Sequence, residues 1–447
     1  MEKRESFGSG FGVLVAMAGS AVGLGNLWRF PYLVGTNGGA AFIIIYLAFV
    51  FLLALPIMYS EFIVGRRSQA NVFGAYKVLA PKTGWCNVGL VYVMASLFII
   101  SFYCVVGGWT INYFWKSVTF RFTTADTAVL GDMFNNTVTS NSEPLIFMLI
   151  FLIATALIVM AGIKDGIERY TKVMMPILFV IVVVVAVRSV TLPGSAAGLE
   201  FLFKPDFSLV TGKTLLDALG QAFFSLSIGC GTIMTYGSYV SKKENIAGLS
   251  AQTAMTDTLF AIIAGLAIMP AVFAFGISPS EGPGLVFVTL PYIFAQLPFG
   301  AFLAILFFFM LFIAAITSSI SQLEVIVSYL IEEFRMSRKL AITLSVSVIT
   351  VFGVLCSLSQ GTLADVKIFG YNFFDFFDTT SANILLPLGG FFAVIFVGWK
   401  MKRPDVVDEF TSGGMRKYSR FFLNFSYYSI KYLAPIVVAV VLISGLI

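Results

Sequence analysis

The sequence predicts an all-α polytopic membrane protein: eleven transmembrane helices in a five-plus-five inverted repeat, with helices one and six broken. Three observations carry this. Of 447 residues, 58% are hydrophobic and only 11% charged, a balance far from that of soluble domains. Apolar runs of about 20 residues recur along the whole chain, the length a helix needs to cross a bilayer. Two of those runs are interrupted by glycines with amide or hydroxyl neighbours.

Taken in order, the runs place spans at roughly 11–36, 41–65, 86–116, 145–162, 170–188, 214–240, 250–277, 298–330, 340–357, 373–399 and 430–447. The first is too long for a cleaved leader, holds Arg29 near its end and is followed at once by a second span. The two repeats are expected over 1–190 and 191–400, with a cytoplasmic loop and the eleventh span over 401–447. Most of the 28 Lys and Arg lie in segments that are cytoplasmic if the N-terminus is inside, including Arg66, Arg67, Lys242, Lys243 and the 400–420 loop. That bias predicts a cytoplasmic N-terminus and, with eleven spans, an extracytoplasmic C-terminus. The net charge of +5 follows from the same asymmetry and calls for no nucleic-acid partner. Cys86, Cys104, Cys230 and Cys356 lie mostly within or beside apolar runs and read as thiols, not a disulfide framework. Histidine is absent, which removes the commonest general base and metal ligand. With no catalytic triad or metal-ligand cluster either, an enzyme is not expected.

The first interruption, GSAVGLGNLWRF, places Gly19, Gly23 and Gly25 ahead of Asn26 and Arg29. The second, SLSIGCGTIMTYGSY, brackets Cys230 with Gly229 and Gly231 after Ser225 and Ser227. In one span alone, such glycines would read as a helix-packing surface. Two broken spans, each opening one half of the chain, point instead to a transporter built from inverted repeats. Unwinding frees backbone carbonyls and amides at membrane depth, which is tolerable only where they line a cavity or bind something. Freed carbonyls suit a cation, and half-helix N-termini suit a carboxylate. In span eight, AAITSSISQLE offers Thr317, Ser318 and Ser319 in a row, followed by Gln322 and Glu324. Single hydroxyls usually bond back to the preceding turn, but three together fit a hard monovalent cation. Arg29, Glu61, Asp257 and Glu324 lie within apolar runs, with Asp375 and Asp378 at the start of span ten. Each of these needs a partner or a task.

The segments AMAGSAVGLGNLWRFPYL, NGGAAF, PIMYSEFIVGR, GIERYTKVMMP, GQAFFSLSIGCG, TYGSYV and AITSSIS resemble the neurotransmitter:sodium symporter family, from Arg4 to about span ten. The eleven-span layout is similar to that of its bacterial amino-acid transporters. The resemblance implies a leucine-transporter-like fold in a bacterial inner membrane, importing a free amino acid with two sodium ions. It places one sodium on Ala21, Asn26, Ser225, Asp257 and the substrate carboxylate, and the other on Gly19, Val22, Ala314, Thr317 and Ser318. It lines the substrate cavity with Ser20, Ala21, Gly23, Ile99, Tyr103, Phe224, Ser227, Cys230, Ser318 and Gln322. Tyr103 would bond the substrate carboxylate and Phe224 would close over it. Arg29 with Asp378 resembles the outer ionic gate, and Arg4 with Glu332, aided by Ser238 and Tyr239, the inner one.

Three positions narrow the expectation. Gly23 stands where amine carriers of the family have an aspartate, so the substrate should bring its own carboxylate. Asp257 stands where many members have asparagine, and Ala261 where chloride-dependent members supply a serine. A fixed carboxylate can replace a bound anion beside sodium, so no chloride is expected. Cys230 and Gln322 replace larger apolar residues of the family's leucine transporter, giving a wider cavity with an amide in its wall. That amide should bond within the protein, to Glu324 or a nearby hydroxyl, or meet a polar group of the substrate. A hydrophobic or aromatic amino acid is expected, tyrosine first, because its hydroxyl could reach Gln322. A broad hydrophobic amino-acid symporter and a non-transporting amino-acid sensor of the same fold stay open, and oligomeric state is unassigned.

Overall fold

The computed structural model describes residues 6–122, 126–277 and 285–446, which are helical with short connections. The first apolar run forms α1 (Gly10–Ala21) and α2 (Gly25–Thr36), bent 45° at the break between them. There follow α3 (Ala40–Ser68), α4 (Val72–Leu79), α5 (Gly84–Val118), α6 (Thr127–Thr139), α7 (Glu143–Met160), α8 (Ile163–Val190) and α9 (Ala196–Phe203). The second half continues with α10 (Gly212–Ser225), α11 (Thr232–Ser238), α12 (Ile246–Ala274), α13 (Val286–Gln296), α14 (Gly300–Phe334), α15 (Arg338–Leu358) and α16 (Phe373–Lys400). The chain ends with α17 (Arg403–Thr411), α18 (Arg420–Tyr428), a wider turn over Ser429–Leu433 and α19 (Ala434–Leu446).

Among the described residues, eight helices are long and apolar enough to cross a bilayer, and the bent pair α1–α2 makes a ninth. The expected sixth span is divided: α10 and α11 are separated by residues 226–231, and each is too short to cross alone. The expected eleventh is covered by two pieces, the wider turn and α19, with α18 leading into them.

Local chemistry sets the helix ends. Ser9, Asn71, Asn245 and Ser337 cap helices by accepting first-turn amides. Pro144 occupies the first turn of α7, where the missing N–H costs nothing, and Pro31 and Pro56 follow wider turns inside α2 and α3. Outward faces of α7, α8 and α15 carry exposed Ile153, Leu157, Val180, Val187 and Val351, as a lipid-facing surface requires. Inside, α14 packs along α5, α11 along α3 and α12 along α8. This packing buries both helix breaks in the middle of the bundle.

At one end of the bundle α3 is fastened by a buried cation. Arg66 is fully buried, pairs with Glu409 of α17 at 2.8 Å and donates to the Glu244 carbonyl at 2.7 Å. The third guanidinium nitrogen donates to the Glu409 carbonyl. The connection between α11 and α12 is thereby tied to both α3 and α17.

Candidate functional site

The first helix stops at Ala21 because the next amides go elsewhere. Gly23 N–H donates to Asn26 Oδ1 at 3.2 Å and Leu24 N–H to the Tyr103 hydroxyl at 3.2 Å. The carbonyls of Gly19 and Ser20 therefore lose their helical donors. Ser20 O accepts two hydroxyls instead, Ser227 at 2.9 Å and Ser318 at 3.1 Å, so this break is stitched to the second break and to α14.

In the second break Ser227, Gly229 and Gly231 all have positive φ (51°, 83° and 82°). Gly229 also lies so close to α16 that an added Cβ would fall 1.9 Å from the Leu386 carbonyl. Its amide donates to Glu61 Oε1 at 2.7 Å. Glu61, an ionisable group inside an apolar run, thus holds the unwound segment against α3.

Between the breaks lies a small cavity of about 30 Å³. It is lined by Ser20, Ala21, Gly23, Gly25, Ile99, Tyr103, Phe224, Ser227, Cys230, Ser318, Gln322 and Leu386. The ten cavity positions named from the sequence are brought together here, joined by Gly25 and Leu386. Gly23 has no room for a side chain: a Cβ would sit 2.4 Å from Ser318 Oγ and 3.0 Å from the Tyr103 hydroxyl. An aspartate in this place would need both neighbours to move.

The Gln322 amide is engaged within the protein. Its oxygen is 2.8 Å from Ser96 Oγ and its nitrogen 3.4 Å from Cys230 Sγ, and Ser96 also lies 2.8 Å from the Cys230 carbonyl. Glu324 is not its partner. That carboxylate pairs with Arg338 at 2.6 Å and accepts the Tyr239 hydroxyl at 2.8 Å.

Beside the cavity is a fully buried oxygen cluster. Asn26 Nδ2 lies 2.8 Å from Asp257 Oδ1 and 3.2 Å from Ser225 Oγ. Ser225 is 2.8 and 2.9 Å from the two carboxylate oxygens, and the Tyr46 hydroxyl donates to Asp257 Oδ2 at 3.2 Å. The cluster holds one carboxylate among neutral oxygens, and no grouping of three or more His, Cys, Asp or Glu suited to a metal occurs among the described residues. Such a donor set fits a hard monovalent ion better than a transition metal. On the other side of the break, Thr317 Oγ1 donates to Ile313 O and Ala314 O at 3.0 and 3.1 Å. Those bonds use the hydroxyl proton and leave oxygen lone pairs. Gly19 faces this turn, its Cβ position being 3.5 Å from Thr317 Cβ.

Arg29 and Asp378 form no ion pair; the guanidinium stacks over the Phe224 ring at 5.0 Å, with Nη1 buried and without a hydrogen-bond partner. The guanidinium is thus in cation–π contact with an aromatic that lines the cavity. Arg4 lies outside the described residues. Glu332 accepts the Asn71 amide at 2.8 Å, and Ser238 donates to Thr235 O at 2.6 Å.

Tyr46, Ser96, Gln221 and Leu386 escape sequence reasoning. Gln221 donates to the Gly25 carbonyl at 2.9 Å, tying the two broken helices together from beside the cavity. Nothing local marks these residues, since each acts through a contact with a distant span.

Comparison with known proteins agrees with this geometry. The chain matches the Sodium:neurotransmitter symporter family over residues 4–143 and 128–447. An uncharacterized sodium-dependent transporter of Bacillus subtilis is 38% identical, covering 99% of this chain and 98% of its own. One of Haemophilus influenzae is also 38% identical, covering 100% and 99%. The sodium-dependent serotonin transporter of Drosophila melanogaster is 26% identical over 82% of this chain and 66% of its own. The crystal structure of MhsT in complex with L-phenylalanine superposes with a TM-score of 0.93 at 43% identity, covering 99% of this chain and 100% of that one. These likenesses, together with the two buried helix breaks, make the protein a multi-pass sodium-dependent transporter and not an enzyme: the chain belongs to the sodium:neurotransmitter symporter family.

Proposed function

We propose that the protein carries a hydrophobic or aromatic amino acid into the cell together with two sodium ions, without chloride. The observation that carries this reading is the cavity between the helix breaks, with an apolar roof and the single carboxylate of Asp257 among neutral oxygens at its edge. Rotating the Asn26 amide exchanges donor for acceptor. Its oxygen would then join Ala21 O, Ser225, Asp257 and the substrate carboxylate around the first sodium. Gly19 O, Val22 O, Ala314 O, Thr317 and Ser318 would hold the second. Gly23 leaves space for the amino-acid main chain beside Tyr103, and Arg29 rests on the Phe224 roof.

The substrate side chain would point toward Ile99, Cys230 and Gln322. A site discriminates strongly for a hydroxyl only when the wrong substrate strands one of its polar groups. Gln322 is already bonded to Ser96 and Cys230, so phenylalanine strands nothing. Tyrosine still gains one amide N–H contact, which supports a preference below about tenfold.

Because one sodium shares the substrate carboxylate, ion and substrate stabilise the same conformer, and each raises the affinity of the other. The test is uptake of labelled L-phenylalanine into proteoliposomes under an inward sodium gradient, in chloride and in gluconate. Saturable accumulation is expected in both, abolished by a sodium ionophore and inhibited by tyrosine within tenfold of phenylalanine. Binding without accumulation would make the protein a sensor, and loss of uptake in gluconate would refute chloride independence.

A further inference from the structure

The segment from Lys400 to Tyr432 contributes no residue to the cavity between the helix breaks, yet its charges are sorted. The acids of α17 are turned onto the protein: Asp405 and Asp408 lie 2.7 and 3.3 Å from Arg67, and Glu409 lies 2.8 Å from Arg66. The bases are not. Arg403, Arg416, Lys417 and Arg420 are exposed, and none forms an ion pair among the described residues. The first two turns of α17 and of α18 line one groove, with Arg403, Pro404 and Val407 on one wall and Arg420, Leu423 and Asn424 on the other. Arg403 and Arg420 are the first residues of their helices, so the positive ends of two helix dipoles reinforce the two guanidinium groups. Arg403 is held in place: it donates to Asn424 Oδ1 and stacks over Tyr427 and Tyr428 at 5.4 and 5.8 Å. Trp399, Phe421, Phe425 and Tyr428 are exposed nearby in sequence, the residue types that settle at a membrane interface.

Two unpaired arginines over an apolar floor of Val407 and Leu423 ask for an anion with a hydrophobic body. We propose that the groove between α17 and α18 binds the phosphodiester headgroup of an anionic phospholipid, gripped by Arg403 and Arg420. Planar guanidinium groups suit phosphate oxygens through paired N–H contacts. Inorganic phosphate has the same oxygens but nothing to place on the apolar floor.

The test uses the full chain purified in neutral detergent, with lipid adducts followed by native mass spectrometry. Phosphatidylglycerol is expected to be retained where phosphatidylcholine is lost, and millimolar inorganic phosphate is expected not to displace it. The Arg403→Gln/Arg420→Gln double variant should bind phosphatidylglycerol about 30-fold more weakly, as for two basic residues lost from a lipid surface. Lys417→Gln, outside the groove, should stay within about twofold of the native protein. Sodium-driven uptake by the double variant in phosphatidylcholine vesicles should equal that of the native protein, which separates lost lipid binding from misfolding. Native phosphatidylglycerol affinity in the double variant would overturn the assignment. Displacement by inorganic phosphate would also overturn it, by making the groove a free-phosphate site.

Discussion

Replacing Asp257 by asparagine is expected to lower sodium affinity about 30- to 4000-fold and to abolish uptake at ordinary sodium concentrations. The range is that of truncating one buried, hydrogen-bonded member of a charge pair. Asp257 is the sole carboxylate in its cluster, and its two oxygens are oriented by Asn26, Ser225 and Tyr46. The asparagine variant keeps the shape and loses the charge, so the loss would measure electrostatics and not packing. One turn along α12 from Asp257 lies Ala261, also fully buried. If the carboxylate stands in for a bound anion, Asp257→Asn with Ala261→Ser should recover part of the uptake in chloride and none in gluconate. Radiolabelled uptake titrated with sodium in both buffers checks this, and native-like sodium dependence in Asp257→Asn would remove the first ion site from the proposal.

The second large effect is on stability. Arg66→Met is expected to destabilise the protein by about 3–5 kcal/mol, the cost of leaving a buried carboxylate without its partner. The value should fall toward the lower end, because Arg67 and Lys242 remain 3.4 and 3.9 Å from Glu409. Arg66→Met with Glu409→Leu should recover most of the loss, since the pair is then replaced by apolar contact and no charge is stranded. Thermal unfolding in detergent, followed by tryptophan fluorescence, separates these outcomes. An unchanged midpoint in Arg66→Met would show that the pair contributes no net stability.

The parts of the site read from sequence are those whose signals are local. Gly229 and Gly231 mark a break because positive φ is a backbone demand written in one residue, and Gly23 marks a close approach for the same reason. The run Thr317–Ser318–Ser319 is likewise visible within one turn. What stayed hidden depends on spans far apart in the chain. Tyr46 reaches Asp257 across 211 positions, and Ser96 reaches Gln322 across 226. A lone tyrosine or serine in an apolar run carries no sign of such a contact. The same limit applies to charges. Glu61 and Glu324 were legible as groups in need of a partner, but a backbone amide for one and Arg338 with Tyr239 for the other are products of the fold. Arg29 was legible as a charge in an apolar run, but its position over the Phe224 ring, a residue of a distant span, is likewise a product of the fold.

The thiol of Cys230 gives the transporter a reporter of its own. Cys104, Cys230 and Cys356 are all buried and only Cys86 is half-exposed, so a Cys86→Ser protein presents a quiet background to small sulfhydryl reagents. Among the buried three, Cys230 alone faces the cavity. A reagent that modifies it must travel the path the cargo travels, and the rate of that modification becomes a clock for how often the passage opens. Substrate and sodium should slow the clock together, and the effect of either alone would reveal the order in which they bind.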